Sequence, residues 1–182
     1  MITEEIETER LIIRPFVEAD WQDVSTYATR PEIMEYMEEG VQTVAQVQAF
    51  VTNNATGREV TAYALMLKAA NQLIGHLVFH PWFAPRTYEI GWVLHPDYHR
   101  RGYASEAALA LLCHSFEEMN LHRVIATCQP ENVGSWGVME KIGMRREGHF
   151  QQCIHRGGDT WWDEYFYALL ATEWQERQNS CS

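Results

Sequence analysis

Apolar positions along the chain change period several times, and each change marks an element. Residues 10–16, Arg-Leu-Ile-Ile-Arg-Pro-Phe, form a short β-branched run closed by Pro15, which predicts a strand. Trp21, Val24, Tyr27 and Ala28 then recur at helical spacing, and Val44, Val47, Phe50 and Val51 do so again. Two amphipathic helices are therefore expected after the first strand, with a helical turn around 31–37 between them. From Val60 the period shortens, and residues 60–68, a polar turn at 69–72 and residues 73–80 read as a hairpin. A strand at 87–95 is stopped by Pro96. Residues 104–119 form the clearest helix, with an apolar face through Ala108, Leu111, Leu112 and Phe116. Residues 122–128 read as a strand, and 135–142 as a short helix ended by Gly143, with Ser135 as its N-cap. Residues 144–154 and 160–170 complete a second hairpin, turning at 156–159 where Gly157 and Gly158 adjoin.

This order predicts a mixed α/β domain of about seven strands, with much antiparallel pairing and a parallel crossover through the helix at 104–119. No repeat or Pro/Gly/Ser-rich linker interrupts it, so the expectation is a single domain over residues 1–182. Hydrophobic types make up 46% and charged types 21%, enough apolar material for a sizeable core. No run approaches the ~20 apolar residues of a membrane helix, and the N-terminus MITEEIETER is acidic where a leader would be basic. A soluble, cytoplasmic protein without a membrane partner is expected.

Charge narrows the partners. The formal net charge of −11 leaves little basic surface for a phosphate backbone, which disfavours a nucleic-acid partner. An acidic surface suits a cationic small molecule or peptide, and it also serves plain solubility. Cys113, Cys128, Cys153 and Cys181 form no C-x-x-C pair, and the eight histidines form no H-E-x-x-H. Free, mostly buried thiols and no metal are expected.

The segment with most chemistry runs from His95 to Ala107, His-Pro-Asp-Tyr-His-Arg-Arg-Gly-Tyr-Ala-Ser-Glu-Ala. A strand ends, a basic loop turns at Gly102, and a long helix begins. Successive amides at a helix start, with the positive end of its dipole, make an anion site that Arg100 and Arg101 would reinforce. A phosphate or pyrophosphate is the natural guest, and a turn with solvated arginines is the plainer reading. The loop has neither the G-x-G-x-x-G nor the G-x-x-x-x-G-K-[ST] glycines of dinucleotide and ATP sites.

This segment resembles the acetyl-coenzyme A motif of the GNAT N-acetyltransferases, [QR]-x-x-G-x-[GA] after a strand ending in His-Pro. Thr8-Glu-Arg-Leu-Ile-Ile-Arg14 resembles the opening of the RimJ/RimL-type branch. Asn132-Val-Gly-Ser135 with Lys141-Ile-Gly-Met144 resembles its N-x-x-S segment, and Trp161-Trp-Asp163 with Tyr167-Ala-Leu-Leu170 its closing hairpin. The matches lie in order over about residues 8–174. One position departs: His99 stands where Gln or Arg is usual, which leaves its own contact with coenzyme open.

The resemblance implies a GNAT acyl-CoA N-acyltransferase fold, a twisted mixed sheet of about seven strands with helices on both faces. It implies acetyl transfer from acetyl-CoA to a primary amine, a protein N-terminus or small amine, by direct attack. The pantetheine would pair along Val93 and Leu94, and the pyrophosphate would sit on the amides of Arg100, Arg101, Gly102, Tyr103, Ala104 and Ser105. Asn132 is either a turn-former before a helix or a coenzyme contact, and the resemblance favours the contact; it also places the Ser135 hydroxyl near the coenzyme sulfur. For catalysis the matching residues are Glu89 as base, or else a solvated strand carboxylate, and the Val93 N–H as oxyanion donor. Many relatives place a Tyr seven residues after the Asn, but Met139 is there and has no acidic proton. Ser135 is then the candidate proton donor to the thiolate. Glu106 is expected to fix structure. Trp21, Trp82, Phe83, Trp136, Trp161 and Trp162 are expected as core and pocket wall. A CoA-binding sensor or scaffold without transferase activity is the alternative, and monomer and homodimer both stay open.

Overall fold

Leu11 and Ile13 are fully buried while Ile12 and Arg14 are only half-buried, the alternation of a strand with one face on a core. In the computed structural model, which describes residues 5–37, 40–56 and 60–180, these four residues form β2 (Leu11–Arg14). Residues 1–4 of the acidic N-terminus and Cys181 lie outside the described residues. The chain divides into two compact units, one of residues 1–80 and 91–111, the other of residues 81–90 and 112–182.

In the first unit, β1 (Ile6–Glu7), β2, β3 (Ala62–Leu67) and β4 (Gln72–Pro81) pair antiparallel in chain order. The turn between β3 and β4 places Asn71 in the left-handed region at φ 47°. Between β2 and β3 come α1 (Trp21–Ala28), the single turn α2 (Pro31–Met34) and α3 (Val44–Thr56), close to the expected positions. Their apolar faces bury Val24, Tyr27, Ala28, Met34, Val47 and Val51 against Ala62, Ala64, Leu73 and Val93. Two polar residues hold these connections. Asp20 receives both guanidinium nitrogens of Arg14 at 2.7 and 2.9 Å, and the Val17 amide. The Asn54 carbonyl takes the amides of Thr61 and Ala62, each at 2.9 Å, tying α3 to β3.

β5 (Thr87–Leu94) belongs to the second unit up to Ile90 and to the first from Gly91. In the first unit it lies against β4 so closely that a Cβ on Gly75 would collide with the Val93 carbonyl, and the His95 amide donates to Ile74 O at 2.8 Å. In the second unit it pairs parallel with β6 (Arg123–Cys128), after a crossover through α4 (Tyr103–Glu117). That ladder ends at the Glu89–Ile125 pair. β6 then pairs antiparallel with β8 (Trp161–Leu170), and β8 with β7 (Arg145–His155), their hairpin turning at Gly157 and Gly158, both at positive φ.

Among the described residues the seven expected strands are all present, and β1 makes eight. Two further differences concern helix ends. The helix expected at 135–142 is α5 (Val133–Lys141), capped by Asn132, whose side chain accepts from the Ser135 amide at 3.2 Å. Ser135 is therefore not the N-cap, because the carboxamide three residues earlier already takes that amide. An additional helix, α6 (Ala171–Ser180), follows the last strand, its Glu173 accepting the Leu170 amide at 2.8 Å and its Trp174 stacked on Phe116 at 5.7 Å.

Candidate functional site

β5 ends at Leu94, and Pro96–Tyr98 makes one tight turn in which the His95 ring accepts from the Asp97 amide at 3.3 Å. Arg100 and Gly102 then both take left-handed backbone, φ 58° and 80°. Two such residues around Arg101 redirect the chain so that α4 starts at Tyr103, with its first bond from the Glu106 amide to Gly102 O at 3.0 Å. The amides of residues 103–105 precede that bond and have no intrahelical partner. A loop of this form suits an anion, and the exposed guanidinium groups of Arg100 and Arg101 add charge to it. His99 is also exposed, but its Nε2–H donates to Leu94 O at 2.9 Å, so the departing residue of the motif closes the loop itself.

The turn between β1 and β2 braces this loop. Glu106 accepts from the Thr8 hydroxyl at 2.6 Å, the Arg10 amide at 3.0 Å and Arg10 Nε at 2.6 Å. Arg10 also donates to Arg101 O at 3.1 Å and lies 4.5 Å over the Tyr103 ring. Burial alone would raise the Glu106 pKa, but these donors outweigh it and hold the carboxyl below its usual range. Thr8 and Arg10, residues of the Thr-Glu-Arg-Leu opening, thus support the loop through one carboxylate, the structural role expected of Glu106.

Val93, Leu94 and residues 99–105 belong to the first unit, and Glu89, Asn132 and Ser135 to the second. Glu89 is half-buried on β5, and the Thr127 hydroxyl donates to its carboxylate at 3.3 Å. Asn132 and Ser135 meet through the helix cap, while the Ser135 hydroxyl bonds the buried Cys128 thiol. Burial pushes that thiol up to about 11, against the lowering effect of Ser135, so Cys128 stays protonated. Met139 is buried and offers no proton. The phenol against α5 is Tyr167, which donates to Glu140 at 3.0 Å and is pushed up to about 12 by burial and that carboxylate.

Thr127, Cys128 and Tyr167 were not singled out as partners in the sequence. Thr127 and Cys128 follow from strand register, and Tyr167 was visible only as part of the closing motif. Cysteine burial is mixed, with Cys128 buried, Cys113 half-buried and Cys153 exposed. Of the aromatic residues expected as core and wall, Trp82 and Phe83 line a pocket, whereas Trp161 is half-exposed. Among the described residues no group of three His, Cys, Asp or Glu could hold a metal ion, and no helix is long and apolar enough to cross a membrane.

Known proteins resemble this chain in sequence and fold. Residues 10–145 match the family model described as acetyltransferase (GNAT) domain. YnaD of Bacillus subtilis strain 168, described as an uncharacterized N-acetyltransferase, is 53% identical over 169 residues, 93% of this chain and 98% of its own length. A crystal structure of a GNAT-family acetyltransferase from Bacillus anthracis superposes with a TM-score of 0.89 at 50% identity, over 93% of this chain and 100% of that one. The structure of RimL, a ribosomal L7/L12 alpha-N-protein acetyltransferase in complex with coenzyme A, has a TM-score of 0.79 at 20% identity, over 93% and 99%, a likeness of fold.

Proposed function

The chain belongs to the GNAT acetyltransferase family, and from that premise we propose that it moves the acetyl group of acetyl-CoA onto a primary amine by direct attack. The observation that carries this reading is the left-handed pair Arg100 and Gly102 opening a 15-residue helix, which aims backbone amides at one anion. The pyrophosphate is assigned to the amides of Arg100 to Ser105, and the pantetheine to the backbone of Val93 and Leu94, with Asn132 holding the start of α5 beside Ser135.

Each chemical need has an assigned group. A lysine-like amine (pKa ~10.4) must lose a proton before it attacks, and Glu89 takes that proton directly or through water. The amine adds to the thioester carbon, forming the N–C bond and a tetrahedral oxyanion that the Val93 N–H stabilises, and the C–S bond then breaks. The thiolate takes the Ser135 proton, which is restored through solvent by the second proton that the nitrogen loses on becoming an amide. Ser135 gives up its bond to Cys128 to do so, and the thiol, high in pKa, neither competes as a nucleophile nor carries the acyl group. The acceptor classes are a peptide N-terminus, for which RimL is the structural precedent, and a free small amine. Thiol release from acetyl-CoA by the purified chain, measured across a panel of amines and N-terminal peptides, tests the reading. Amine-dependent release supports it, and coenzyme binding without release to any amine would favour a sensor or scaffold instead.

A further inference from the structure

The second unit contains a pocket of about 460 Å3 walled by Trp82, Phe83, Thr87, Arg123, Phe150 and Phe166. That size lies within the range of small-ligand sites. Strand alternation shows which sheet face it occupies. Thr87 and Glu89 are two residues apart on β5, so their side chains project from the same face. Thr127, whose hydroxyl contacts Glu89, is paired with Phe166, and Phe150 is paired with Glu164. Paired residues share a face. The aromatic wall and the carboxylates of Glu89 and Glu164 therefore stand on one surface.

The chemistry of that surface selects its occupant. The Trp82 ring lies 3.9 Å from Phe83 and 5.3 Å from Phe166, and Phe150 is 5.9 Å from Phe166. Phe83 is 81% exposed, a large ring left in water at the mouth of the pocket. Covering it with an apolar body is favourable. Among the described residues the one cation in the wall, Arg123, is paired with Glu147, which removes most of its attraction for an anion. Carboxylates beside aromatic rings instead favour a cation attached to an apolar group.

Resting on the acetyl-transfer reading above, we infer that this pocket holds the body of the acceptor, and that the acceptor is a primary amine one or two carbons from an aromatic ring. Either a free arylalkylamine or a peptide beginning with an aromatic residue has this chemistry. Thr87 and Glu89 are about 6.6 Å apart along the strand. One or two carbons cover part of that step, and the reach of the Glu89 side chain from the same face covers the rest, bringing nitrogen and carboxylate together. A linear polyamine would reach the carboxylates but gain nothing from the rings.

The test measures initial rates of thiol release with phenethylamine, a tripeptide amide beginning with phenylalanine, and spermidine. It uses the wild type, Phe83→Ala and, as control, Trp161→Ala, which removes an exposed ring outside the pocket. The expected result is a kcat/KM at least tenfold higher for one of the aromatic amines than for spermidine, the better of the two identifying the source. Phe83→Ala should raise that acceptor's KM about tenfold while Trp161→Ala leaves it unchanged. Equal use of spermidine, or an unmoved KM in Phe83→Ala, overturns the pocket assignment and leaves acetyl transfer standing. If no amine is acetylated, the transfer reading has failed and calorimetry decides the pocket. Saturable phenethylamine binding that Phe83→Ala weakens tenfold then upholds an aromatic-amine site, and its absence overturns it.

Discussion

Acidification should destabilise the first unit through one imidazole. His76 on β4 is buried, with its Nδ1 2.7 Å from the Tyr27 hydroxyl and the rings of Tyr27, Phe50 and Phe16 at 5.7, 5.2 and 6.3 Å. Burial holds its pKa at about 4 instead of 6.5. The folded state therefore keeps the ring neutral, accepting from Tyr27, while the unfolded chain takes up a proton at the ordinary value. Unfolded molecules bind more protons between these two pKa values, so stability falls as pH drops from about 6.5 towards 4 and is unaffected by His76 above that window. At 1.36 kcal/mol per pH unit, the gap of about 2.5 units amounts to roughly 3 kcal/mol, a large part of the 5–15 kcal/mol typical of a domain. Urea unfolding of wild type and His76→Gln at pH 7, 6, 5 and 4 isolates this contribution, because the carboxylates titrate in both proteins and cancel. The stability difference between them should move by about 3 kcal/mol in favour of the variant across the series. A difference that stays constant with pH would show that the imidazole is not held neutral, and the reasoning from its burial would be wrong.

Four further outcomes follow from the loop and from α5. Gly102→Val should abolish most of the rise in melting temperature that acetyl-CoA produces, because a β-branched residue resists φ 80° and crowds the approach to the amides; an undiminished rise would displace the phosphate site. Glu106→Gln should weaken acetyl-CoA binding measured by calorimetry, through loss of the charge that holds Arg10 across the loop, and equal affinity would mean that the brace is idle. Ser135→Ala should lower kcat while leaving acetyl-CoA affinity and thermal stability near wild type, whereas Asn132→Ala should cost about 1 kcal/mol of stability, as expected for the true cap. A normal kcat in Ser135→Ala would leave water as the proton source.

The strands were legible because short β-branched runs such as residues 10–16 and 122–128 favour extended backbone; burial alternates along the first, while Val124, Ile125 and Ala126 of the second are all fully buried. The coenzyme loop was legible because Gly102 before a long helix is a local signal. What failed to show depended on distance or on competition. Asn132 and Ser135 are both good caps, and only the observed bond from the Ser135 amide to the Asn132 carbonyl oxygen decides between them. β1 is two residues long, too short to display a period. α6 has a single buried anchor, Trp174, in an otherwise polar sequence, so its apolar face left no stripe to read. The contact between Thr127 and Glu89 crosses 38 residues and exists only through the parallel register of β5 and β6.

The Glu106 clasp has a consequence for when the protein becomes competent to bind. Its bond to the Arg10 amide joins residues 96 positions apart, so the shape of the anion loop depends on one of the longest closures in the chain. Such contacts form late, after local helices and hairpins are in place. A chain still emerging from synthesis, with α4 incomplete, would have its arginines and glycine but no ordered cradle. Once the start of the chain has returned, the loop's disorder has already been lost in folding, and an incoming coenzyme meets a surface that needs little further ordering.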